Sequence, residues 1–299
     1  MKNYFAFINW TVDPVLFSIG GLQVRWYGLL LATGFFLAYL TLQKIFKHEN
    51  LSQKLLDRLS IWTIVWTIIG LRLGHFLFYD FDFFINHPLQ VLLPFDANWN
   101  FIGYQGLASH GAVISLILFL SYFAWKYKMN PLWLLDRLAI VIPIAAAFVR
   151  IGNLMNHEIV GSITDVPWAF NFTHGEFGVA NTLRHPAQLY ESSVYFFLFL
   201  FMIFYYFKFK KGKISAGRTT GILLFVIFSA RFIIEYFKEV QVLKEKEMTL
   251  LIGQWLSIPF ILIGIGLLIY SYINKKNIPV YIEPKDLISK KEKTLSEKK

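Results

Sequence analysis

Seven stretches of this chain are apolar over a length that suits a bilayer, and they limit the fold more than any other feature. They run Leu22–Phe46, Leu59–Tyr79, Leu107–Trp125, Leu138–Met155, Ala187–Phe207, Gly217–Phe237 and Ile252–Ile273. A run of about 18 or more apolar residues has the length of a helix that crosses the hydrocarbon core. A soluble domain of 299 residues would show amphipathic stripes; here 56% of the residues are hydrophobic and the apolar blocks are nearly continuous. The expected class is an all-α polytopic membrane protein with seven transmembrane helices. No internal repeat is visible, which removes support for an inverted-repeat transporter.

A net charge of +10 would suit nucleic acid, but its distribution suits a membrane instead. Lys44, Lys47, Lys54 and Arg58 follow the first span, Lys126, Lys128 and Arg137 the third, and Lys208, Lys210, Lys211, Lys213 and Arg218 the fifth. By contrast, Asp80–Gln105 holds no Lys or Arg and Asn156–Pro186 holds only Arg184, while the Lys238–Glu247 connection is of mixed charge. The positive-inside rule then places the N-terminus in the periplasm and the C-terminus in the cytoplasm. The expected organisation is a membrane domain over 1–273 and a basic, disordered cytoplasmic tail over 274–299. A small periplasmic element is expected at 156–186, between the fourth and fifth helices, where Val166–Phe172 alternates like a short strand pair. Trp99, Phe101 and Tyr104 suggest a second outer segment lying on the interface. Met1–Gly21 carries Asp13-Pro14 and lacks the basic-then-apolar pattern of a cleavable signal peptide.

Charged residues inside such apolar runs are costly and call for a functional or pairing explanation. On this topology Arg72, Arg150 and Arg231 lie about 18–21 Å above the cytoplasmic ends of their helices, in the outer half of a ~30 Å core. Tyr27 and His110 fall in the first turns of inward-running spans, near the same depth. Each has a plainer alternative. Arg231 and Glu235 stand four apart and suffice to neutralise each other. Arg72 with His75 also fits outward snorkelling, and His110 fits an interfacial histidine. Arg150 shares one helix face with Asn153 and His157. Gathered at headgroup depth, planar guanidiniums suit a phosphate through paired charge-assisted hydrogen bonds. The residues indicate a site for an anionic phospholipid headgroup opening to the outer leaflet. No HExxH, GxSxG or P-loop motif is present, and the chain contains no cysteine. No metal or other cofactor is expected.

The Arg150–Gly161 stretch resembles the signature of bacterial phosphatidylglycerol–prolipoprotein diacylglyceryl transferases. Six further segments match that family in order. They are Asp13-Pro14 with Arg25-Trp26-Tyr27-Gly28, Gly70–His75, Ser109-His110-Gly111, His185–Glu191, Arg231–Glu235 and Gly253–Pro259. Three positions depart from the pattern. Val149 and His157 stand where glycines are common, and Ile227 stands where a tyrosine is common, leaving Tyr27 and Tyr190 as candidates for its hydroxyl. The resemblance implies a multi-pass enzyme of the bacterial inner membrane. It would transfer a diacylglyceryl group from phosphatidylglycerol to the lipobox cysteine of a prolipoprotein, forming a thioether and releasing glycerol phosphate. On this view Arg150 and Arg231 bind the phosphate, helped by Arg72, and Asn153 orients lipid oxygens or Arg150. Glu158 and Glu235 hold the arginines; Tyr27 and Gly161 complete the substrate-binding set. His110 is the candidate general base for the substrate thiol, whose unperturbed pKa is ~8.5; alternatively the arginine field alone lowers that pKa. A non-catalytic phospholipid-binding or transport protein is the alternative from another class.

Overall fold

The computed structural model describes residues 7–20, 22–93, 108–175, 179–180, 182–239 and 248–275. In chain order the elements are β1 (Ile8–Trp10), β2 (Val15–Ile19), β3 (Leu22–Arg25), α1 (Trp26–His48), α2 (Gln53–Tyr79), α3 (Phe81–Asn86), α4 (Ser109–Lys126) and α5 (Pro131–Met155). There follow β4 (Phe170–Phe172), β5 (Leu183–Arg184), α6 (Ala187–Phe204) continued by a π-helical turn at Tyr205–Phe209, α7 (Arg218–Ile234) continued by a 3-10 turn at Glu235–Phe237, and α8 (Ile252–Ile273). Each expected span contains a helix. Six are long and apolar enough to cross a membrane. The third block gives the shorter α4, whose 18 residues rise about 27 Å. The protein is mostly helical and multi-pass, and helix faces carry large exposed apolar side chains such as Trp125, Phe197 and Leu262, as a lipid-facing surface requires.

The chain is not purely helical, and the expectation is corrected at its N-terminal end. Leu22–Arg25, expected to begin the first span, is instead the second strand of an antiparallel hairpin with β2. In the 156–186 connection only Phe170–Phe172 of the alternating stretch is a strand. It does not pair within its own stretch: β4 runs parallel to β1 and antiparallel to β5. Trp99, Phe101 and Tyr104 lie outside the described residues, as does the tail beyond Lys275.

The described residues fall into two units, divided at Ile45/Phe46 within α1 and at Leu134/Leu135 within α5. In the larger unit, α7 begins against α5 on the buried Asp136. Its carboxylate accepts the Gly217 N–H (2.7 Å), the Thr220 N–H (2.9 Å) and the hydroxyls of Thr219 (3.0 Å) and Thr220 (2.9 Å). The two N–H groups are backbone donors that a helix start leaves without intrahelical partners, and a side chain from another helix satisfies them. At the opposite end, the strands close over the last turn of α5. Leu154, Val160, Phe170 and Phe172 form a cluster joined by Trp10, Val179 and Leu189. The Trp10 Nε1–H donates to the Leu154 carbonyl at 3.0 Å. The N-terminal segment is thereby fixed to the loop that follows Arg150.

The smaller unit is built on α2 against α4. Ser115 Oγ donates to the Trp66 carbonyl across that contact at 2.7 Å, and the Trp66 and Phe119 rings stack with centroids 6.1 Å apart. The helices approach so closely because Gly70, Gly74 and Gly111 meet there. A Cβ on Gly70 would lie 2.6 Å from the Gly111 carbonyl oxygen, and one on Gly111 would meet the Gly70 carbonyl and the Gly74 backbone. Small residues at membrane helix contacts permit this distance. Gly111→Ala is expected to destabilise the protein by about 3 kcal/mol through overpacking. Gly266→Ala, where an added Cβ meets nothing within 4 Å, should be neutral; thermal unfolding in detergent measures both.

Candidate functional site

Arg150 lies in the last turns of α5, before the helix ends at Met155. The chain then turns sharply, with left-handed φ of 55° at His157 and 57° at Ile159. This turn folds the loop back on the helix end. Arg150 Nη1 donates to Asn153 Oδ1 (3.1 Å), and Asn153 Nδ2 donates to Glu158 Oε1 (2.8 Å). Gln188 Nε2 holds the Glu158 carbonyl at 2.7 Å. Glu158 thus reaches Arg150 through Asn153. Tyr27 packs on the same turn: a Cβ at Gly152 would lie 2.7 Å from its ring.

Gly161 marks a crossing of three backbone segments. Its N–H donates to the His185 carbonyl at 2.9 Å, and it bridges Lys238. A side chain there would collide with His185 and lie 2.6 Å from the Phe237 carbonyl oxygen, so only glycine fits. The buried Arg184 stitches the same crossing through Gly161 O (3.2 Å) and Glu239 Oε2 (2.6 Å).

The direct partner of Arg150 is Glu191 of α6, which is 1% exposed. The other Glu191 oxygen receives Lys238 Nζ at 2.8 Å, and Lys238 also reaches Glu235 Oε2 at 3.1 Å. A continuous chain of charge therefore runs Arg150–Glu191–Lys238–Glu235. Two carboxylates share the ammonium, and the arrangement avoids the uncompensated buried charge that would otherwise cost several kcal/mol. The Glu235 carboxylate also packs on Gly253 at the start of α8, where backbone N–H groups favour negative charge. Tyr195, four residues after Glu191 and 3% exposed, lies within electrostatic reach of Glu191, Arg150 and Arg231. It brings the two arginines into one neighbourhood.

Of the expected residues, Tyr27, Arg150, Asn153, Glu158 and Gly161 thus gather at the end of α5, and Arg231 and Glu235 stand at the end of α7. Glu235 is held by Lys238, and among the described residues Arg231 makes no ion pair. Arg72 and His110 belong to the smaller unit. Arg72 is buried, with Nε donating to Val91 O (2.8 Å) and Nη2 to Gln90 O (3.1 Å) and Leu93 O (3.0 Å), beneath which Phe76 offers its ring at 4.7 Å. Its guanidinium organises the turn after α3. His110 is exposed beside Phe78 and Tyr79. Tyr190, one candidate for the hydroxyl replaced at Ile227, receives the Trp168 indole N–H at 2.8 Å and contacts His185 Nδ1 at 3.0 Å.

Glu191, Lys238 and Tyr195 were not singled out as site residues in the sequence. Glu191 had a signal: a carboxylate entering an apolar run needs a partner as much as Arg150 does. Lys238 was hidden in a connection of mixed charge, and an aromatic residue within a span gives no signal.

A family model described as prolipoprotein diacylglyceryl transferase matches residues 14–270. The phosphatidylglycerol–prolipoprotein diacylglyceryl transferase of Bacteroides fragilis is 43% identical over 282 residues, covering 93% of this chain and all of the relative. Proteins of the same name from Tolumonas auensis (39% identical, 88% of this chain, 96% of the relative) and Chloroherpeton thalassium (37%, 89% and 95%) are similar along nearly their whole lengths.

His157 closes the loop on the N-terminal segment, with Nε2 at 2.8 Å from the Val12 carbonyl and its ring against Phe172 and His174. Burial pushes the imidazoles of His157 and His185 below the ordinary histidine range. The unfolded chain accepts protons near pH ~6.5 that the folded protein still refuses, so stability is complete above that pH and falls below it. The unfolding midpoint should drop between neutral and mildly acidic pH. His157→Asn, which tolerates the left-handed backbone, should lower the midpoint at neutral pH but flatten its pH dependence.

Proposed function

The chain belongs to the prolipoprotein diacylglyceryl transferase family, and from that premise we propose that the Arg150–Glu191–Lys238–Glu235 chain, with Arg231, is where its lipid donor reacts. The activity is transfer of a diacylglyceryl group from phosphatidylglycerol to prolipoprotein. The acceptor atom in this proposal is the thiol sulfur of the lipobox cysteine following a signal peptide, and the site is the bacterial inner membrane.

One constellation supports the placement. Arg150, Arg231 and Lys238 are three cations set against the carboxylates of Glu191 and Glu235. Glu158, bound to Arg150 through Asn153, balances the third cation, so in this proposal a phosphodiester is held by directed guanidinium donors and not by surplus charge. As the sulfur–carbon bond forms at the diacylglyceryl carbon, the bond from that carbon to the phosphate ester oxygen breaks. Its electron pair stays on the oxygen, and glycerol phosphate leaves with one more negative charge than the diester had. The Arg150 guanidinium, fixed in advance by Glu191 and Asn153, stabilises that charge without reorganising. The thiol proton goes to His110, assigned as the base on its sequence motif, because the thiolate is the nucleophile. In this proposal Tyr195, rather than Tyr27 or Tyr190, supplies the hydroxyl that Ile227 lacks, because it lies within electrostatic reach of both arginines.

Incubation of the protein in bilayers with labelled phosphatidylglycerol and a lipobox peptide tests the proposal by peptide mass. A diacylglyceryl mass increase that disappears when the peptide cysteine becomes serine is expected. Lipid that is bound or moved but never consumed would favour the transport reading and sink this one. Arg150→Lys and Arg231→Lys should each lower kcat by about 10²–10³-fold, the cost of losing a donor to developing charge. Glu191→Gln should reduce kcat more than it raises KM, by roughly tenfold or more, because Arg150 stays present but loses its fixed orientation. His110→Gln should flatten the pH profile of lipidation; an unchanged profile removes His110 as the base.

A further inference from the structure

The same three helices carry a second concentration of positive charge at their other end. α6 finishes in the π-helical turn Tyr205–Phe209, and the chain returns to α7 through Lys211 and Gly212, both with left-handed φ. α8 ends beside this turn. Lys210, Lys213, Arg218 and Lys275 line one cavity of about 360 Å³ together with Tyr205 and Tyr272, and among the described residues no carboxylate lines it. From Arg218 to Arg231 along α7 the rise is about 20 Å, so the two basic regions are two-thirds of a ~30 Å hydrocarbon core apart.

Arg218 is held by α8, and two of the lysines stand beside tyrosine rings. Arg218 Nε donates to Ser271 Oγ at 2.8 Å and Nη2 reaches Ser271 O at 3.4 Å, and Ser271 is fully buried, so the guanidinium plane is set by α8. Lys275 Nζ stands 3.7 Å from the Tyr272 ring centroid, and Lys210 Nζ lies 5.8 Å from that of Tyr205. Four like charges facing one concavity repel one another, and an anion seated among them removes that repulsion. Phe209 and Ile273, the chain neighbours of the lining residues Lys210 and Tyr272, are apolar and 70% and 73% exposed. Tyrosines with lysines at helix ends are the side chains that sit at headgroup level, and basic clusters there attract anionic lipid.

We propose that this pocket is a binding site for the phosphate of an anionic glycerophospholipid headgroup, in the leaflet opposite the one served by the Arg150–Arg231 region. It performs no chemistry and anchors the α6–α7–α8 bundle against one lipid. The phosphate is common to lipid and soluble anions; the position of the pocket at the ends of three apolar, membrane-length helices assigns the source to the bilayer. The inference stands apart from the transferase reading, since it uses none of those residues.

Native mass spectrometry of the delipidated full-length protein, titrated with phosphatidylglycerol and separately with phosphatidylcholine, tests it. The triple variant Lys210→Gln, Lys213→Gln, Lys275→Gln should retain one anionic lipid fewer than the unaltered protein and lose at least about tenfold in affinity for it. Its lipidation turnover in bilayers, read alongside as the measure of folding, should stay within about twofold. Single Lys→Gln changes should each weaken the site by about fivefold, which decides the matter if the triple variant does not fold. Equal stoichiometry and affinity in variant and parent, or equal retention of phosphatidylcholine, overturns the proposal. In a third arm, millimolar inorganic phosphate replaces lipid and the unfolding midpoint is read. Stabilisation of the parent alone, with lipid stoichiometry unchanged between the proteins, assigns the pocket to soluble anions and overturns the lipid source.

Discussion

The ion pairs of the buried Glu191 constrain the rest of the larger unit. A carboxylate at 1% exposure survives only with partners, and it has two, Arg150 from α5 and Lys238 from the turn after α7. Through them three elements that share no local sequence are held in register at one end of the bundle. The desolvation cost of such a network is large enough that it rarely adds net stability, and its value lies in direction. Arg150 is pulled toward Glu191 on one side and toward Asn153 on the other, which leaves its guanidinium little freedom. A phosphate arriving there meets donors already aimed.

Backbone crowding does for the loops what charge does for the helices. Gly161 allows the segments at 161, 185 and 237 to cross within hydrogen-bonding distance, which carries Lys238 to Glu191. Arg184 ties the same crossing from the side. The helix-capping carboxylate of Asp136 fixes the far end of α7, so that Arg231 is set by a rigid rod rather than by a loop. The two ends of the bundle are accordingly held by different means, one by paired charges and the other by a capped helix and a serine-bound arginine.

Much of this was legible in the sequence because the bilayer makes the reading simple: continuous apolar blocks became helices, and the polar stretch at the end of the fourth block became a polar turn. The departures are equally physical. Ile8–Trp10 is too short to show a strand period, and its partner is 162 residues away, so no local pattern announces the pairing. His157 stands where related sequences commonly carry glycine, and its φ of 55° gives the reason: the turn needs a left-handed residue. Arg72 was expected as a helper at the phosphate from its depth and its motif; its Nε and Nη2 donors face carbonyls of the turn after α3. Glu158 was expected to hold Arg150, but the direct partner is Glu191 of α6, a contact between helices that no local spacing announces.

The parallel pairing of β1 with β4 also bears on how the protein is made. It requires the N-terminal segment and the connection before α6 to reach the same face of the membrane. At ~5–20 residues per second, the ribosome needs on the order of 10–30 s to synthesise the 162 residues between the paired positions. For that interval β1 is delivered but has no edge to join, while four apolar helices, α1, α2, α4 and α5, are threaded into the bilayer behind it. The turn carrying Asn153 and Glu158 is closed only afterwards, when Trp10 and Val12 gain their partners. A nascent chain is thus inserted before the turn that carries Asn153 and Glu158 gains its N-terminal partners.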